Sequence, residues 1–225
     1  MPMKLPMKKD NCCIFDFDST LVSIETLDFL IEQSGVDADK IKTITDNAMG
    51  GKMSFSDSLK KRFESVDLDK SNIAALQNKI SNFITNGIQD FLKDLLPTHD
   101  FYIISGGFLE IIYPAAETLG ISKENCFANE FIYEGEKIIG FNDQNLLAKD
   151  GGKVKVAEEK IIKPNNYQNI FMIGDGYTDF EVSKSNPNIT FCGFGGHVVR
   201  DLVKQEAEHF FYDFSQMLTF IKENN

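Results

Sequence analysis

Residues 12–21 read CCIFDFDSTL, an apolar run that ends in Asp16 and Asp18 around Phe17, then Ser19 and Thr20. A short unbroken apolar run suits a strand buried on both faces, as in parallel sheets. The strand is predicted over 12–17, which puts both aspartates at its carboxyl end. Three more runs share this form. Residues 100–105 (DFYIIS) stop at Gly106-Gly107, 169–173 (NIFMI) at Gly174, and 189–194 (ITFCGF) at Gly195-Gly196. A fifth strand is expected at 210–212. Helical periodicity covers 88–96, 108–119, 153–162, 177–185 and 198–205 between them. This alternation predicts an α/β fold, a three-layer open parallel sheet of Rossmann-like form with right-handed crossovers.

One connection is too long for a crossover. Residues 21–86 carry four helical patterns, at 24–33, 38–49, 54–66 and 70–83, and no convincing strand. The expected organisation is an α/β core made of 1–20 and 87–225, with a helical subdomain, 21–86, inserted after the first strand. A β-hairpin is expected over 128–141, around Glu134-Gly135-Glu136.

Composition narrows the function. The 225 residues are 42% hydrophobic and 25% charged, which excludes collagen-like, coiled-coil and wholly disordered chains. The net charge is −11, from 34 acidic and 23 basic residues, so no basic footprint for nucleic acid is present. An anionic substrate must therefore meet a locally basic pocket. The four cysteines, Cys12, Cys13, Cys126 and Cys192, lack CxxC spacing and read as buried thiols in a reducing compartment. No stretch approaches the roughly 20 apolar residues that cross a bilayer, and MPMKLPMKKD has no signal-like apolar core. The chain is read as cytoplasmic, with no membrane partner. No GxxxxGK[ST] or GxGxxG follows a strand, which argues against a nucleotide-binding module.

In open α/β sheets, ligands bind beyond the carboxyl ends of the strands. Asp16 and Asp18, Ser105 and Asp175 occupy those ends, and Lys153 opens the helix before the third strand. Residues two apart share a face of an extended strand, so Asp16 and Asp18 can approach one atom together. Adjacent carboxylates repel unless a cation neutralises them, and an all-oxygen set suits Mg²⁺. Ser105, Lys153 and the N–H groups of Gly106-Gly107 suit phosphate oxygens.

These motifs carry a resemblance. Asp16-Phe17-Asp18-Ser19-Thr20, Ser105-Gly106-Gly107, Lys153 and Gly174-Asp175-Gly176-Tyr177-Thr178-Asp179 resemble, in order, the four signatures of the haloacid-dehalogenase superfamily. Ala48-Met49-Gly50-Gly51, residues 58–62 (SLKKR), 151–156 (GGKVKV) and 193–200 (GFGGHVVR) are similar to its phosphoserine phosphatase family, in the eukaryotic-like form. The resemblance implies Mg²⁺-dependent hydrolysis of the small-molecule substrate O-phospho-L-serine to L-serine and phosphate, the final step of serine biosynthesis. It also implies an aspartyl-phosphate intermediate and a helical cap that closes over the substrate.

Carried over by position, Asp16 is the expected nucleophile and Asp18 the acid and base. Asp16, the Asp18 carbonyl and Asp175 are expected to hold the metal, supported by Asp179. Ser105, Gly106, Gly107 and Lys153 are expected to hold the phosphoryl group. Glu25 should meet the substrate ammonium and Arg62 its carboxylate. Met49 and Gly50 would line the pocket, and Thr178 and Arg200 would add substrate contacts. Phe17, Val154 and His197 depart from residues common in the family without removing a catalytic atom. Two other readings stay open: the same chemistry on another small phosphomonoester or an alcohol acceptor, and a receiver-like signalling domain. Glu25 with Arg62 weighs against the first; the long insertion and the second acid of DFD weigh against the second. The oligomeric state stays open between monomer and homodimer.

Overall fold

The computed structural model describes residues 9–35, 38–49, 52–63 and 67–224. Its strands are β1 (Asn11–Phe15), β2 (His99–Phe108), β3 (Cys126–Asn129), β4 (Phe131–Glu134), β5 (Lys137–Phe141), β6 (Asn169–Gly174), β7 (Ile189–Phe194) and β8 (His209–Phe211). Six of them form one sheet in the order β3-β2-β1-β6-β7-β8, with every pairing parallel. The strand order reverses beside β1, so a crevice opens between β1 and β6 at their carboxyl ends.

The helices are α1 (Thr26–Gln33), α2 (Ala38–Met49), α3 (Phe55–Phe63), α4 (Lys70–Gln77), α5 (Ile88–Leu95), α6 (Leu109–Leu119), α7 (Gly152–Val156), α8 (Tyr177–Ser185), α9 (Asp201–Glu206) and α10 (Phe214–Glu223). Both faces of the sheet are covered. Cys13 and Phe15 of β1 pack into one core with Phe91, Ile111 and Phe214, while Cys12 and Ile14 pack into another with Val156, Ile161 and Val182. This is why β1 is apolar at every position rather than alternating. All four cysteines are buried free thiols, as expected.

The segment between β1 and α5 is helical, with α1 to α4 close to their expected positions. Its two ends run side by side. Thr85 N–H donates to Leu21 O at 3.0 Å and Ser23 N–H to Phe83 O at 2.8 Å, around a Val22–Ile84 bridge. The insertion thus leaves and returns through a narrow two-stranded neck. Leu27, Leu30, Leu59 and Leu76 carry the larger core into it.

Three expectations need correction. Pairing in β1 stops at Phe15, and the chain turns at residues 17–21, because Asp16 and Asp18 are drawn to side-chain and helix-end partners. The hairpin is β4 with β5, and Cys126–Asn129 is instead the edge strand of the main sheet. The hairpin also bonds to the insertion: Lys70 N–H donates to Glu136 O and Ile138 N–H to Leu68 O. The final helix, α10, was not anticipated, although Phe214, Met217 and Ile221 form its buried stripe.

Gly152 starts α7 against the 3₁₀ turn at residues 146–148, where a Cβ would overlap the Leu146 carbonyl. Backbone cannot rotate away as a side chain can. Gly152→Ala is expected to lower unfolding free energy by about 1–3 kcal/mol, the usual range for overpacking. Urea denaturation measures this, and parent-like stability would contradict the packing described.

Candidate active site

The four motifs converge above the carboxyl ends of β1, β2 and β6. Asp16 follows β1 and keeps one sheet bond, its N–H donating to Ile173 O at 2.8 Å. Its Oδ1 accepts from Phe17 N–H at 2.7 Å and lies 2.8 Å from Lys153 Nζ. The same ammonium donates to Asp179 Oδ1 at 2.6 Å. Burial alone would pull the Lys153 pKa down, but the Asp16 and Asp179 carboxylates more than reverse this and raise it. Asp179 also accepts from Gly176 N–H through Oδ2, so both of its oxygens are occupied.

Asp175, at the end of β6, is held from the other side. Arg200 Nε donates to its Oδ2 at 2.8 Å, and Thr20 makes a longer 3.4 Å contact to Oδ1. Burial raises the Asp175 pKa to about 6, against the pull of Arg200. Asp16, Asp175 and Asp179 are all buried, and each offers one oxygen within 4.8 Å of the others. This compact all-oxygen set fits a hard divalent cation.

Asp18 has a different setting. Its Oδ1 accepts from Thr26 N–H, the first amide of α1, at 3.1 Å. Burial and then the Asp16 charge raise its pKa to about 7, so it holds a proton near neutrality. Ser105 Oγ accepts from Gly107 N–H at 2.9 Å, which leaves the hydroxyl proton to be donated elsewhere. Phe55 of α3 covers Gly106 so closely that a Cβ there would overlap its ring.

A small enclosed chamber connects these groups. Asp16, Asp18, Gly106, Gly107 and Lys153 line it on one side, and Glu25, Leu27, Phe55 and Arg62 from the insertion line it on the other, with Thr178. Arg62 Nη1 donates to Asp28 Oδ1 at 3.2 Å, while its Nε is buried with no partner among the described residues. Glu25 Oε1 accepts from Ser19 Oγ at 2.8 Å and Arg200 Nη2 at 3.1 Å. Burial, then the charges of Asp18 and Asp175, raise the Glu25 pKa.

Arg200 lies elsewhere than expected. It borders an outer cleft of about 840 Å³ on the far side of Glu25, rather than the chamber. Its three nitrogens bond Asp175, Glu25 and Asp46, which ties β6 to the insertion. Gly50 lies outside the described residues. Met49 closes α2, whose backbone alone is described there.

Four neighbours of these residues escaped the sequence reading. Phe55 gave no signal beyond its place in a helix. Asp28 stands three residues after Glu25, inside the helix predicted over 24–33, a spacing that was available to be read although Glu25 proves to be the extended N-cap of α1. Asp46 and Ser19 act through contacts that no spacing reveals.

Residues 13–184 match the haloacid dehalogenase-like hydrolase family, and the chain belongs to it. Its relatives are more particular. The phosphoserine phosphatase of Mus musculus is 35% identical over 98% of this chain and 96% of its own length. A phosphoserine phosphohydrolase-like protein from Francisella tularensis superposes with a TM-score of 0.85 at 30% identity, over 96% of this chain and 100% of that one. A phosphoserine phosphatase solved as a phospho-aspartyl intermediate analogue gives a TM-score of 0.81 at 29% identity, covering 95% and 99%.

Lys153 is the shared counter-ion of Asp16 and Asp179, so Lys153→Met strands buried carboxylates. In chelated buffer at pH 7 this should cost about 3–5 kcal/mol, the usual loss when one partner of a buried pair is removed. Asp175 titrates at about 6. Lowering the pH to 5 protonates it, removes part of the repulsion, and should narrow the deficit. Paired urea titrations at the two pH values measure this; an equal or wider deficit at pH 5 would contradict it.

Proposed function

We propose that this chain hydrolyses O-phospho-L-serine to L-serine and phosphate, through a phosphoryl group carried on Asp16, as the final step of serine biosynthesis. One observation carries the reading. The chamber that holds Asp16, Asp18, Gly106 and Lys153 is closed by Glu25 and Arg62, an acid and a base from the insertion. A phosphate-handling floor faces two opposite charges, and a phosphorylated amino acid presents a phosphate, an ammonium and a carboxylate together.

The chemistry follows from the atoms. Asp16 Oδ1 is held by Lys153 and the Phe17 amide, and Oδ2 carries no hydrogen bond among the described residues. That oxygen attacks phosphorus, forming the Asp16 O–P bond as the bond to the serine oxygen breaks. Asp18 gives its proton to the departing oxygen. It then takes one from the water that hydrolyses the acyl phosphate, which restores Asp16 and releases phosphate. Ser105, the Gly106 amide and Lys153 hold the phosphoryl oxygens as charge shifts, while the Gly107 N–H is used in orienting the Ser105 hydroxyl.

Mg²⁺ would be held by Asp16, Asp175 and the Asp18 carbonyl, and when bound it would neutralise phosphoryl charge. Asp179 supports the metal site by orienting Lys153, which donates to its Oδ1. Arg62 takes the substrate carboxylate, which would satisfy its buried Nε, and Glu25 takes the ammonium. Thr178 completes the pocket wall. Arg200 supports Glu25 and Asp175. Residues 21–86 act as the cap of a core made of 1–20 and 87–225, hinged at the neck. A cytoplasmic location suits this reading, and among the described residues no helix is long and apolar enough to cross a membrane.

Phosphate release from O-phospho-L-serine and from other small phosphomonoesters, with and without Mg²⁺, tests the reading. Asp16→Asn should abolish turnover while the circular dichroism spectrum stays that of the parent. Chelation should stop the parent enzyme and Mg²⁺ should restore it. Full activity in either case would contradict the mechanism. Arg62→Lys keeps the charge but loses the planar fork. It should lower kcat/KM for O-phospho-L-serine by roughly 10–150-fold, the equivalent of one charged hydrogen bond. Undiminished kcat/KM would remove Arg62 from substrate recognition.

A further inference from the structure

Ser19 is the one described non-glycine residue with a positive φ, at φ 53° and ψ 9°. Side chains other than glycine, asparagine and aspartate seldom occupy this left-handed region, because the Cβ crowds the backbone. Such a conformation persists only where surrounding contacts fix it. Here the contacts are identifiable. Ser19 N–H donates to Ile24 O at 3.1 Å, which closes the turn between β1 and α1. The Ser19 hydroxyl, itself buried, donates to Glu25 Oε1 at 2.8 Å.

Glu25 is the residue at the N-cap of α1, yet its side chain caps no helix amide. That role is filled by Asp18, which accepts from Thr26 N–H. The Glu25 carboxylate is thereby turned away from its own helix and into the chamber wall. There it is held at a single oxygen. Oε1 receives both Ser19 Oγ and Arg200 Nη2, while Oε2 has no hydrogen bond among the described residues. A carboxylate fixed at one oxygen and open at the other is oriented for one further donor.

We infer that Ser19 is a positioning residue for amino-group recognition: from its left-handed turn, its hydroxyl pins Glu25 Oε1 and leaves Oε2 to receive the substrate ammonium. The inference rests on the reading of Glu25 given above. Arg200 alone is a weaker clamp, because its guanidinium is shared with Asp175 and Asp46. The Ser19 hydroxyl, itself buried, makes this short bond and no other among the described residues, so it fixes where the carboxylate points. Ser19 touches no reacting atom, and its effect should appear as selectivity rather than as chemistry.

The test compares O-phospho-L-serine with 3-phosphooxypropanoate, which keeps the carboxylate and lacks the ammonium. The readout is the ratio of their kcat/KM values. Ser19→Gly removes the hydroxyl and suits the positive φ, so the backbone turn is preserved. It should reduce the ratio about tenfold, mainly through a raised KM for O-phospho-L-serine, as expected for a hydrogen bond to a charged group. Glu25→Gln should reduce the ratio as well. In that background Ser19→Gly should add little, since residues acting through one another are not additive. An unchanged ratio in Ser19→Gly, or equal losses on both esters with a lowered Tm, would overturn the inference and leave Ser19 a structural residue. If Glu25→Gln itself left the ratio unchanged, the assignment of Glu25 to the ammonium would fail first, and the inference with it.

Discussion

The structure depends on keeping Asp16, Asp175 and Asp179 together out of water. Isolated buried carboxylates are costly, and adjacent ones repel. Two cations make the cluster tolerable from opposite sides. Lys153 spans Asp16 and Asp179, and Arg200 grips Asp175. Three acids against two bases leave an excess negative charge in a compact oxygen cluster, which is the electrostatic condition for recruiting a divalent cation. The parallel sheet makes the arrangement possible. It delivers the ends of β1 and β6 side by side while burying both faces of each strand.

The same cluster links the core to the insertion. Arg200 bonds Asp175 at a strand end and also Glu25 and Asp46, which belong to the start of α1 and to α2. Asp18 likewise joins the turn after β1 to α1 by accepting from its first amide. The neck at Leu21–Thr85 and Ser23–Phe83 is the narrow covalent route between the two parts. Motion of the insertion about that neck must therefore break or remake contacts with Asp18 and, through Arg200, with Asp175.

Much of this was legible in the sequence because it rests on short-range rules. Apolar runs, three followed by glycine and one by Asp16, located four of the six strands of the sheet, the expectation at 210–212 located a fifth, and the length of 21–86 revealed the insertion. Asp16, Asp18, Ser105 and Asp175 stood at or near strand ends, where open sheets place ligand groups, and Lys153 opened the helix before the strand that carries Asp175. What was not legible depends on contacts distant in sequence. Ala128 and Asn129 read as the start of a hairpin, because the four residues Cys126–Asn129 carry no periodicity and only pairing with β2 identifies them as a strand. Arg200 reads as a substrate contact until Asp46, 154 positions away, is seen to share its guanidinium. Phe55 is one aromatic among 20 phenylalanines until it is found over Gly106.

The central claim is that phosphate passes through Asp16. Rapid acid quench of the enzyme during turnover of radiolabelled O-phospho-L-serine, followed by peptide mapping, tests it most directly. The account predicts label on the peptide that contains Asp16, released by hydroxylamine as an acyl phosphate must be, and absent from Asp16→Asn. Turnover with no trapped label, or label on another residue, would contradict it.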